Sequence, residues 1–266
     1  MSIFSSDVFK GQHALVTGAT GGIGRETAKV LAAMGANVTI TGRKEHVLSD
    51  LKKEIENESP NAEVLMFVAD LTDAIDREKL VIVAEETFGT VSLLVNSAGM
   101  TGGGILEELT QEELERVMHL NYTVPILLTQ RIYKNMKKDK KGSIVNVSSL
   151  SGVRGTYGGT AYTGSKFALN AFTQSFALEA IEHNVRVNGV CPGYVDTEMG
   201  RNGIRSKGEQ EGRSFEEQLK IESEKLPTGR ITNADEVANT IAYLLSDAAE
   251  NIIGENINLS GGSVMR

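Results

Sequence analysis

Cysteine and tryptophan are almost absent from this sequence. Its 266 residues include one cysteine, Cys191, and no tryptophan. A single thiol excludes an intramolecular disulfide framework and any metal site built on several cysteines. We expect Cys191 to be a buried, unreactive thiol because it follows an apolar run. Such low use of cysteine is typical of a reducing compartment, and we expect the cytoplasm.

Long apolar stretches and an excess of basic charge are also missing. No run of residues is long and apolar enough to cross a bilayer. The first residues lack the charged start and apolar stretch of a signal peptide. The net charge is −8, from 35 acidic and 27 basic residues, and this opposes the binding of nucleic acid. The 4 histidines show no metal-ligand spacing, so we expect no metal site.

What the chain does have is an alternation of short apolar runs and helical patterns. The runs are rich in valine, isoleucine and leucine, which is typical of strands buried on both faces of a parallel sheet. We predict strands at residues 13–17, 37–41, 64–69, 91–95, 143–147, 185–190 and 257–259. The sequence therefore predicts an α/β fold, with a doubly wound, seven-stranded, mainly parallel sheet and helices on both faces. We expect one domain over residues 1–266.

A glycine-rich segment, TGATGGIG at residues 17–24, follows the first predicted strand and opens a helix. Glycines let a pyrophosphate approach the backbone, and a helix N-terminus offers N–H groups to it. We infer a dinucleotide site, with a tight turn as the alternative. Gly18, Gly22 and Gly24 match the spacing GxxxGxG. Because residue 21 is also glycine, GxxGxxG matches as well, and the motif alone leaves both open.

The end of the second predicted strand indicates which dinucleotide binds. An NAD site usually offers a carboxylate there to the ribose 2′-hydroxyl. Residues 36–44 contain neither aspartate nor glutamate, and Arg43 and Lys44 stand in that place. A guanidinium pairs well with the 2′-phosphate of NADP. We therefore favour NADP(H) over NAD(H); an ordinary solvated helix start is the alternative.

A tyrosine precedes a lysine by four residues in the segment AYTGSK, at Tyr162 and Lys166. The two side chains share one face if this segment is helical. An ammonium beside a phenol lowers the pKa of the phenol, so we expect Tyr162 to serve as a general acid or base. Tyr157 has no basic residue at helical spacing and is the weaker candidate.

Serines end the fifth predicted strand, at the position where a doubly wound sheet places its ligands. One of their hydroxyls could donate a hydrogen bond to a substrate carbonyl. Serines of turns and caps are the alternative. Composition leaves open the choice between Ser148, Ser149 and Ser151.

Taken in order, these motifs resemble the short-chain dehydrogenase/reductase family, in its single-domain branch. The glycine segment is similar to the family's TGxxxGxG loop, NSAG at residues 96–99 to its NNAG turn, and residues 162–166 to its YxxxK motif. The resemblance runs from about residue 10 to about residue 262. It implies the GxxxGxG alignment, a Rossmann-like fold and, by analogy, a homotetramer.

The resemblance also implies roles for individual residues. The active serine of relatives lies 13 residues before the tyrosine, which selects Ser149. The implied catalytic residues are Ser149, Tyr162, Lys166 and Asn121, the last from the segment HLNYT. The implied cofactor-binding residues are Gly18, Thr20, Gly22, Ile23, Gly24, Arg43, Asp70, Leu71, Asn96, Ala98, Gly99, Tyr162, Lys166, Pro192, Gly193, Val195 and Thr197. For Asp70, matched to an adenine contact, a helix N-cap is the alternative.

Residues 200–227 are charged, dotted with glycine and long for a loop, and we expect a substrate lid at about residues 198–227. Residues 201–213 hold four basic and two acidic side chains. Such a cationic lid could meet the phosphate of a phosphopantetheine arm or of coenzyme A, or an acidic acyl carrier protein. A solvated flexible loop is the alternative.

The segments GMTGGGILEEL, VCPGYVDTEM and PTGR resemble polyketide ketoreductases and β-ketoacyl carrier-protein reductases more closely. This resemblance implies NADPH-dependent reduction of a 3-oxoacyl thioester to its 3-hydroxy form. One alternative is an NAD(P)-dependent dehydrogenase of a sugar, a steroid or a 3-hydroxy acid. A further alternative, from another class, is a non-catalytic dinucleotide-binding regulator.

Overall fold

The computed structural model describes residues 5–265; residues 1–4 and 266 of the predicted domain lie outside the described residues. Within residues 5–265, seven strands alternate with helices. The strands are β1 His13–Val16, β2 Asn37–Gly42, β3 Val64–Val68, β4 Leu93–Asn96, β5 Gly142–Val147, β6 Val185–Pro192 and β7 Asn256–Leu259. The α-helices are α1 Gly22–Ala33, α2 Glu45–Glu58, α3 Ala74–Phe88, α4 Gln111–Met118, α5 Val124–Asp139, α6 Thr160–Ile181, α7 Glu198–Gln210, α8 Phe215–Glu224 and α9 Ala234–Leu245. Over that same range, none combines the length and apolarity that crossing a membrane requires.

The strands form one sheet in the order β3-β2-β1-β4-β5-β6-β7, and every described pair is parallel. The chain winds outward from β1 to β3, returns beside β1 as β4, and winds outward again to β7. This confirms the predicted Rossmann-like, doubly wound fold. The order reverses between β1 and β4, and ligands of such sheets bind at the carboxyl ends of the strands near that point.

The ends of each predicted strand lie within two residues of the ends of an observed strand. The central strand β1 is buried along its whole length, whereas β3 and β7, at the two edges of the sheet, are mostly half-buried. Buried strands need apolar side chains on both faces, which explains why the apolar runs located the central strands well.

The apolar core has two layers, one on each face of the sheet. Helices α1, α2 and α9 supply one layer, with Leu31 and Ile241 fully buried. Helices α3, α5 and α6 supply the other, with Leu80 and Leu128 fully or almost fully buried. Burial of each such side chain contributes about 1.5–3 kcal/mol. Both layers therefore hold the strands rigidly and fix the segments that leave their carboxyl ends.

The expectation of a long loop at residues 200–227 was wrong, because α7 and α8 occupy most of this stretch. The Thr197 hydroxyl caps α7 by accepting the Gly200 N–H at 3.2 Å, and Ser214 and Glu217 form a capping box at the start of α8. Glycines lower helix propensity, but Gly208 lets the two helices approach: a Cβ built there would lie 3.2 Å from the Gln218 Cβ.

Candidate active site

The residues predicted for the site lie at the carboxyl edge of the sheet, in the segments that end or follow β1 to β6. They are Gly18, Thr20, Gly22, Ile23 and Gly24 after β1, Arg43 after β2, Asp70 and Leu71 after β3, Asn96, Ala98 and Gly99 at the end of β4, Ser149 after β5, and Pro192, Gly193, Val195 and Thr197 at the end of β6. Asn121 lies in a π-helical turn, His119–Thr123, and Tyr162 and Lys166 lie in α6. The fold thus gathers residues from most of the chain along one edge.

The glycines of the β1–α1 turn allow neighbouring segments to approach the backbone closely. Gly18 has φ +65°, and a Cβ built on it would lie 2.7 Å from the Ala98 backbone nitrogen. A Cβ on Gly22 would overlap the side chain of Thr197, and one on Gly24 would overlap the Gly18 carbonyl oxygen. Side chains at these positions would push the turn away from β4 and from the segment after β6.

The N-terminus of α1 suits a phosphate. Within residues 5–265 no side chain caps this helix, and its first turn contains no acidic residue. Its N–H groups and positive dipole end therefore face the glycine turn without a competing carboxylate. The residues present fit the pyrophosphate of a dinucleotide, which the sequence had predicted here.

Arg43 and Asp70 lie near each other at the outer end of this edge. Arg43 is exposed directly after β2. The backbone and side chain of Thr72 donate hydrogen bonds to Asp70 Oδ1 at 3.0 and 2.8 Å. These bonds, with the Arg43 guanidinium as a smaller cause, hold the pKa of Asp70 below its usual range. The helix N-cap alternative for Asp70 was wrong, since Asp73 caps α3.

Among the serines after β5, Ser149 is the one beside Tyr162, and its side chain acts to lower the pKa of that phenol. Ser148 instead donates to the Lys166 carbonyl oxygen at 3.3 Å, and the Ser151 hydroxyl lies 3.1 Å from that of Thr156. Tyr157 is 94% exposed and points away from the core. The structure therefore pairs Ser149 with Tyr162, as the resemblance implied.

Helix α6 carries Tyr162 and Lys166 on one face, as predicted, but the expected lowering of the Tyr162 pKa was wrong. Burial raises the pKa of Tyr162, and the nearby Ser149 side chain only partly opposes this rise. Lys166 Nζ lies 5.7 Å from the Tyr162 ring centroid and donates to the Val147 carbonyl oxygen at 2.9 Å. Burial lowers the pKa of Lys166 to about 8. Burial thus decides the direction of the shift for both pKa values.

Asn121 is buried beside this pair. Its Oδ1 accepts the Met100 N–H at 2.9 Å, and its Nδ2 donates to the Met100 carbonyl and to Ser165 Oγ, at 2.9 and 3.0 Å. A Cβ built on Gly99 would lie 3.2 Å from Asn121 Oδ1 and 3.6 Å from Lys166 Nζ. Asn121 therefore ties the segment after β4 to α6, next to the lysine ammonium.

The cations of residues 201–213 are mostly neutralised. Salt bridges join Arg201 to Asp196 at 2.5 Å and Lys207 to Glu222 at 2.9 Å, and a third joins Arg213 to Glu211. The remaining cation, Arg205, lies over the Phe215 ring and hydrogen-bonds to Asn202. These pairs reduce the net attraction that the sequence had suggested for an anionic partner.

Two further residues hold the site together, and neither was singled out from the sequence. Glu113 of α4 accepts the Gly103 N–H at 3.0 Å and so fixes the glycine segment after β4. Asn170 of α6 donates to the Gly152 carbonyl at 2.9 Å, just beyond Ser149. The available signal for Asn170 was its position one helical turn after Lys166.

Comparison with known proteins agrees with this geometry. The family model described as short chain dehydrogenase matches residues 12–207. The 3-oxoacyl-(acyl-carrier-protein) reductase FabG of Escherichia coli (strain K12) is 33% identical over 257 residues, which cover 97% of this chain and 99% of that protein. A crystal structure of an actinorhodin polyketide ketoreductase variant with NADPH has a TM-score of 0.91 and 33% identity, covering 95% of this chain and 97% of that one. NAD⁺-bound xylitol dehydrogenase has a TM-score of 0.89 and 25% identity, covering 96% and 99%.

The family match covers most of the chain, including the glycine turn and the segment with Ser149, Tyr162 and Lys166. The two solved structures share the fold, at TM-scores of 0.91 and 0.89, and the printed names of all three proteins are those of reductases or a dehydrogenase. The chain therefore belongs to the short-chain dehydrogenase family of oxidoreductases.

Proposed function

We propose that this protein is an NADP(H)-dependent carbonyl reductase that converts a 3-oxoacyl thioester, linked to coenzyme A or to a carrier protein, into its 3-hydroxyacyl form. The placement of Ser149 beside Tyr162, next to the buried Lys166, carries this proposal. It places two hydroxyls where one carbonyl oxygen could accept from both.

In this reaction Ser149 donates a hydrogen bond to the substrate carbonyl oxygen and holds it against Tyr162. A bound nicotinamide dinucleotide supplies the hydride that the carbonyl carbon gains. Tyr162 gives its proton to the oxygen as negative charge develops there. The Tyr162 phenol is protonated at neutral pH and so has a proton to give, although burial raises its pKa away from the range that favours transfer.

Lys166 and Asn121 serve the return of the proton. The pKa of Lys166, lowered to about 8, lies close to neutral pH, so this ammonium can lose and regain a proton. Asn121 lies next to Lys166 across Gly99 and would hold a water-linked path to it. By family resemblance, Lys166 would also hold the nicotinamide ribose.

The glycine turn and α1 would hold the pyrophosphate, with Asp70 and Leu71 at the adenine. The exposed Arg43, without an acidic residue in residues 36–44, supports NADP(H) over NAD(H). The NADPH of one structural neighbour agrees with this choice, whereas the NAD⁺ of another agrees with the NAD(H) alternative.

Two relatives support the substrate class, since the names of both refer to acyl or polyketide chains. We propose that α7 and α8 cover the substrate as the lid. Because salt bridges neutralise most of their cations, recognition of a phosphopantetheine arm would depend on Arg205 more than on overall charge.

We also propose that the chain assembles as a homotetramer, as the family resemblance implies. Exposed apolar side chains on α6 support a subunit contact, with Phe167 44% and Leu178 72% exposed. Light scattering measures the assembly, and a monomer at working concentration contradicts it.

Steady-state kcat/KM with acetoacetyl-CoA, a bulky cyclic ketone and a sugar, each with NADPH and NADH, tests the function. We expect the highest value for acetoacetyl-CoA with NADPH. Preference for the sugar with NAD(H) would favour the sugar dehydrogenase alternative. Failure on every substrate despite tight NADPH binding would favour a regulator and contradict the proposal.

A further inference from the structure

Asn170 lies in α6 on the same face as Tyr162 and Lys166, and only 7% of it is exposed. Its Nδ2 donates to the Gly152 carbonyl oxygen at 2.9 Å. The Cys191 thiol, on β6, lies 3.6 Å from its Oδ1 and 3.5 Å from its Nδ2. The amide of Asn170 thus joins three elements at one buried point. They are α6, the serine segment at residues 147–152, and β6.

The serine segment lies directly on α6 at Gly152. A Cβ built on this glycine would lie 2.7 Å from Asn170 Nδ2 and 2.8 Å from both the Lys166 carbonyl oxygen and Ser148 Oγ. A side chain at position 152 would therefore lift the segment away from the helix. The close approach explains a glycine here and leaves the carbonyl of residue 152 within reach of the Asn170 amide.

Besides the contact between Ser149 and Tyr162, three hydrogen bonds among residues 5–265 fasten this segment to α6, and together they bracket Ser149. Lys166 Nζ donates to the Val147 carbonyl at 2.9 Å, and Ser148 donates to the Lys166 carbonyl at 3.3 Å. Both lie before Ser149 in the chain. The bond from Asn170 is the one that lies after it, and it holds the short 3₁₀ turn Leu150–Gly152 that Ser149 begins.

We propose that Asn170 is a positioning residue of the reaction: by holding Gly152, it keeps the Ser149 hydroxyl on the Tyr162 phenol. This inference rests on the proposed function of Ser149 and Tyr162. Without the Asn170 amide, the Gly152 carbonyl loses its buried donor, and the two hydrogen bonds that remain between this segment and α6 both lie before Ser149.

Release of the turn has a chemical consequence that simple destabilisation lacks. The hydrogen bond from Ser149 opposes the rise in the pKa of Tyr162 that burial causes. The titratable groups that face Tyr162 are Lys166 on its own helix and Cys191 on β6. Neither replaces Ser149 as a donor in this geometry. Loss of the Ser149 contact therefore moves the pKa of Tyr162 further upward.

Asn188 provides a matched control. It is a fully buried asparagine of β6 that donates to the Ile252 carbonyl at 2.7 Å and accepts the Glu255 N–H at 3.0 Å. These contacts join β6 to the segment before β7, away from Ser149. Asn188→Leu should lower Tm, as Asn170→Leu should, without touching the serine turn.

The experiment compares Asn170→Leu and the smaller Asn170→Ala with Asn188→Leu in the full chain. We expect both Asn170 variants to lose kcat by about 100-fold, the cost of a displacement of about 1 Å. NADPH affinity should stay unchanged, and the pH midpoint of kcat/KM should move upward. Amide hydrogen exchange at Gly152 and Val153 should accelerate. Asn188→Leu should change neither the pH midpoint nor this exchange.

The proposal is overturned if the Asn170 variants keep the wild-type pH midpoint and slow exchange at Gly152, whatever their Tm. It is also overturned if Asn188→Leu reproduces both changes. If the wild-type protein turns over no substrate, the proposed function fails by itself. The exchange at Gly152 then still decides whether Asn170 holds the turn.

Discussion

The two halves of the candidate site are built by different means. The glycine half comprises residues 17–24, 42–43 and 70–72, and the polar half comprises residues 96–100, 121, 147–152, 162–170 and 191. The glycine half depends on missing side-chain atoms, since a Cβ on Gly18 or Gly22 would meet neighbouring elements closely. The polar half, in which Gly152 also allows a close approach, depends mainly on buried side chains, such as Asn121 and Lys166, that find hydrogen-bond partners.

This difference separates two kinds of damage. An added atom in the glycine half displaces backbone, so it should weaken cofactor binding while the reacting groups stay in place. A removed donor in the polar half leaves a partner unsatisfied at low dielectric. It should reduce the rate of the chemical step while cofactor binding survives. Separate measurements of kcat and cofactor Kd distinguish these two kinds of damage.

The largest effect belongs to Tyr162→Phe in the polar half. Removal of the hydroxyl takes away the proposed proton donor, so kcat should fall by about 10²–10⁴-fold. NADPH binding should be retained, since the ring remains. Kinetics and fluorescence titration of NADPH measure the two quantities. Tyr157→Phe, at a 94% exposed position, is the control and should keep kcat. A near-normal kcat in Tyr162→Phe would remove Tyr162 from the mechanism.

Arg43→Ser should produce the next effect, in the glycine half. A hydrogen bond to a charged group contributes about 1.5–3 kcal/mol, so affinity for NADPH should fall by roughly 10- to 150-fold. Affinity for NADH, which lacks the 2′-phosphate, should change little. Calorimetry with both dinucleotides measures the ratio, and Arg116→Ser on α4 is the control. A wild-type protein that prefers NADH would contradict the proposed pairing of Arg43 with the 2′-phosphate.

Gly22→Val tests shape in the same half. The built Cβ overlaps the Thr197 side chain, and overpacking of this kind costs about 1–3 kcal/mol. We expect weaker NADPH binding, with kcat at saturating cofactor largely preserved. Gly21→Ala is the matched control, because its Cβ would lie at an ordinary 3.4 Å from the Gly18 carbonyl oxygen. Equal losses in the two variants would mean that contact with Thr197 is unimportant.

The sequence was most informative where a local pattern decides the structure. Apolar runs located the strands, and helical spacing placed Tyr162 and Lys166 on one face of α6. It was least informative where tertiary contacts override propensity. Gly200, Gly203 and Gly208 argue against a helix locally, yet α7 forms because capping and close packing compensate.

The acidity of Tyr162 shows the same limit within the site. Spacing revealed that Lys166 would lie near, but it could not show that Val147 accepts the ammonium's hydrogen bond or that burial dominates both pKa values. Asn170 was missed for a related reason. A mid-helix asparagine gives no sign of its partner until the chain folds the serine turn onto it.

The smallest effect should be an increase in thermal stability caused by Lys166→Met. It is measured as Tm without cofactor. Burial lowers the pKa of Lys166 from 10.5 to about 8, so the folded protein carries a penalty for the ammonium. The unfolded chain binds this proton more tightly, and the penalty is present in full below about pH 8 and fades as the pH rises towards 10.5.

Lys166→Met also removes the hydrogen bond to Val147, which offsets part of the gain. The net free energy of unfolding should rise by about 1 kcal/mol, which corresponds to roughly 2–4 °C in Tm at neutral pH. The gain should shrink at higher pH. Lys207→Met is the control, because Lys207 pairs with the nearly buried Glu222 at 2.9 Å and its loss should lower Tm. If Lys166→Met also lowers Tm at neutral pH, the buried lysine stabilises the fold. The two halves then differ only in their effects on cofactor binding and on the chemical step.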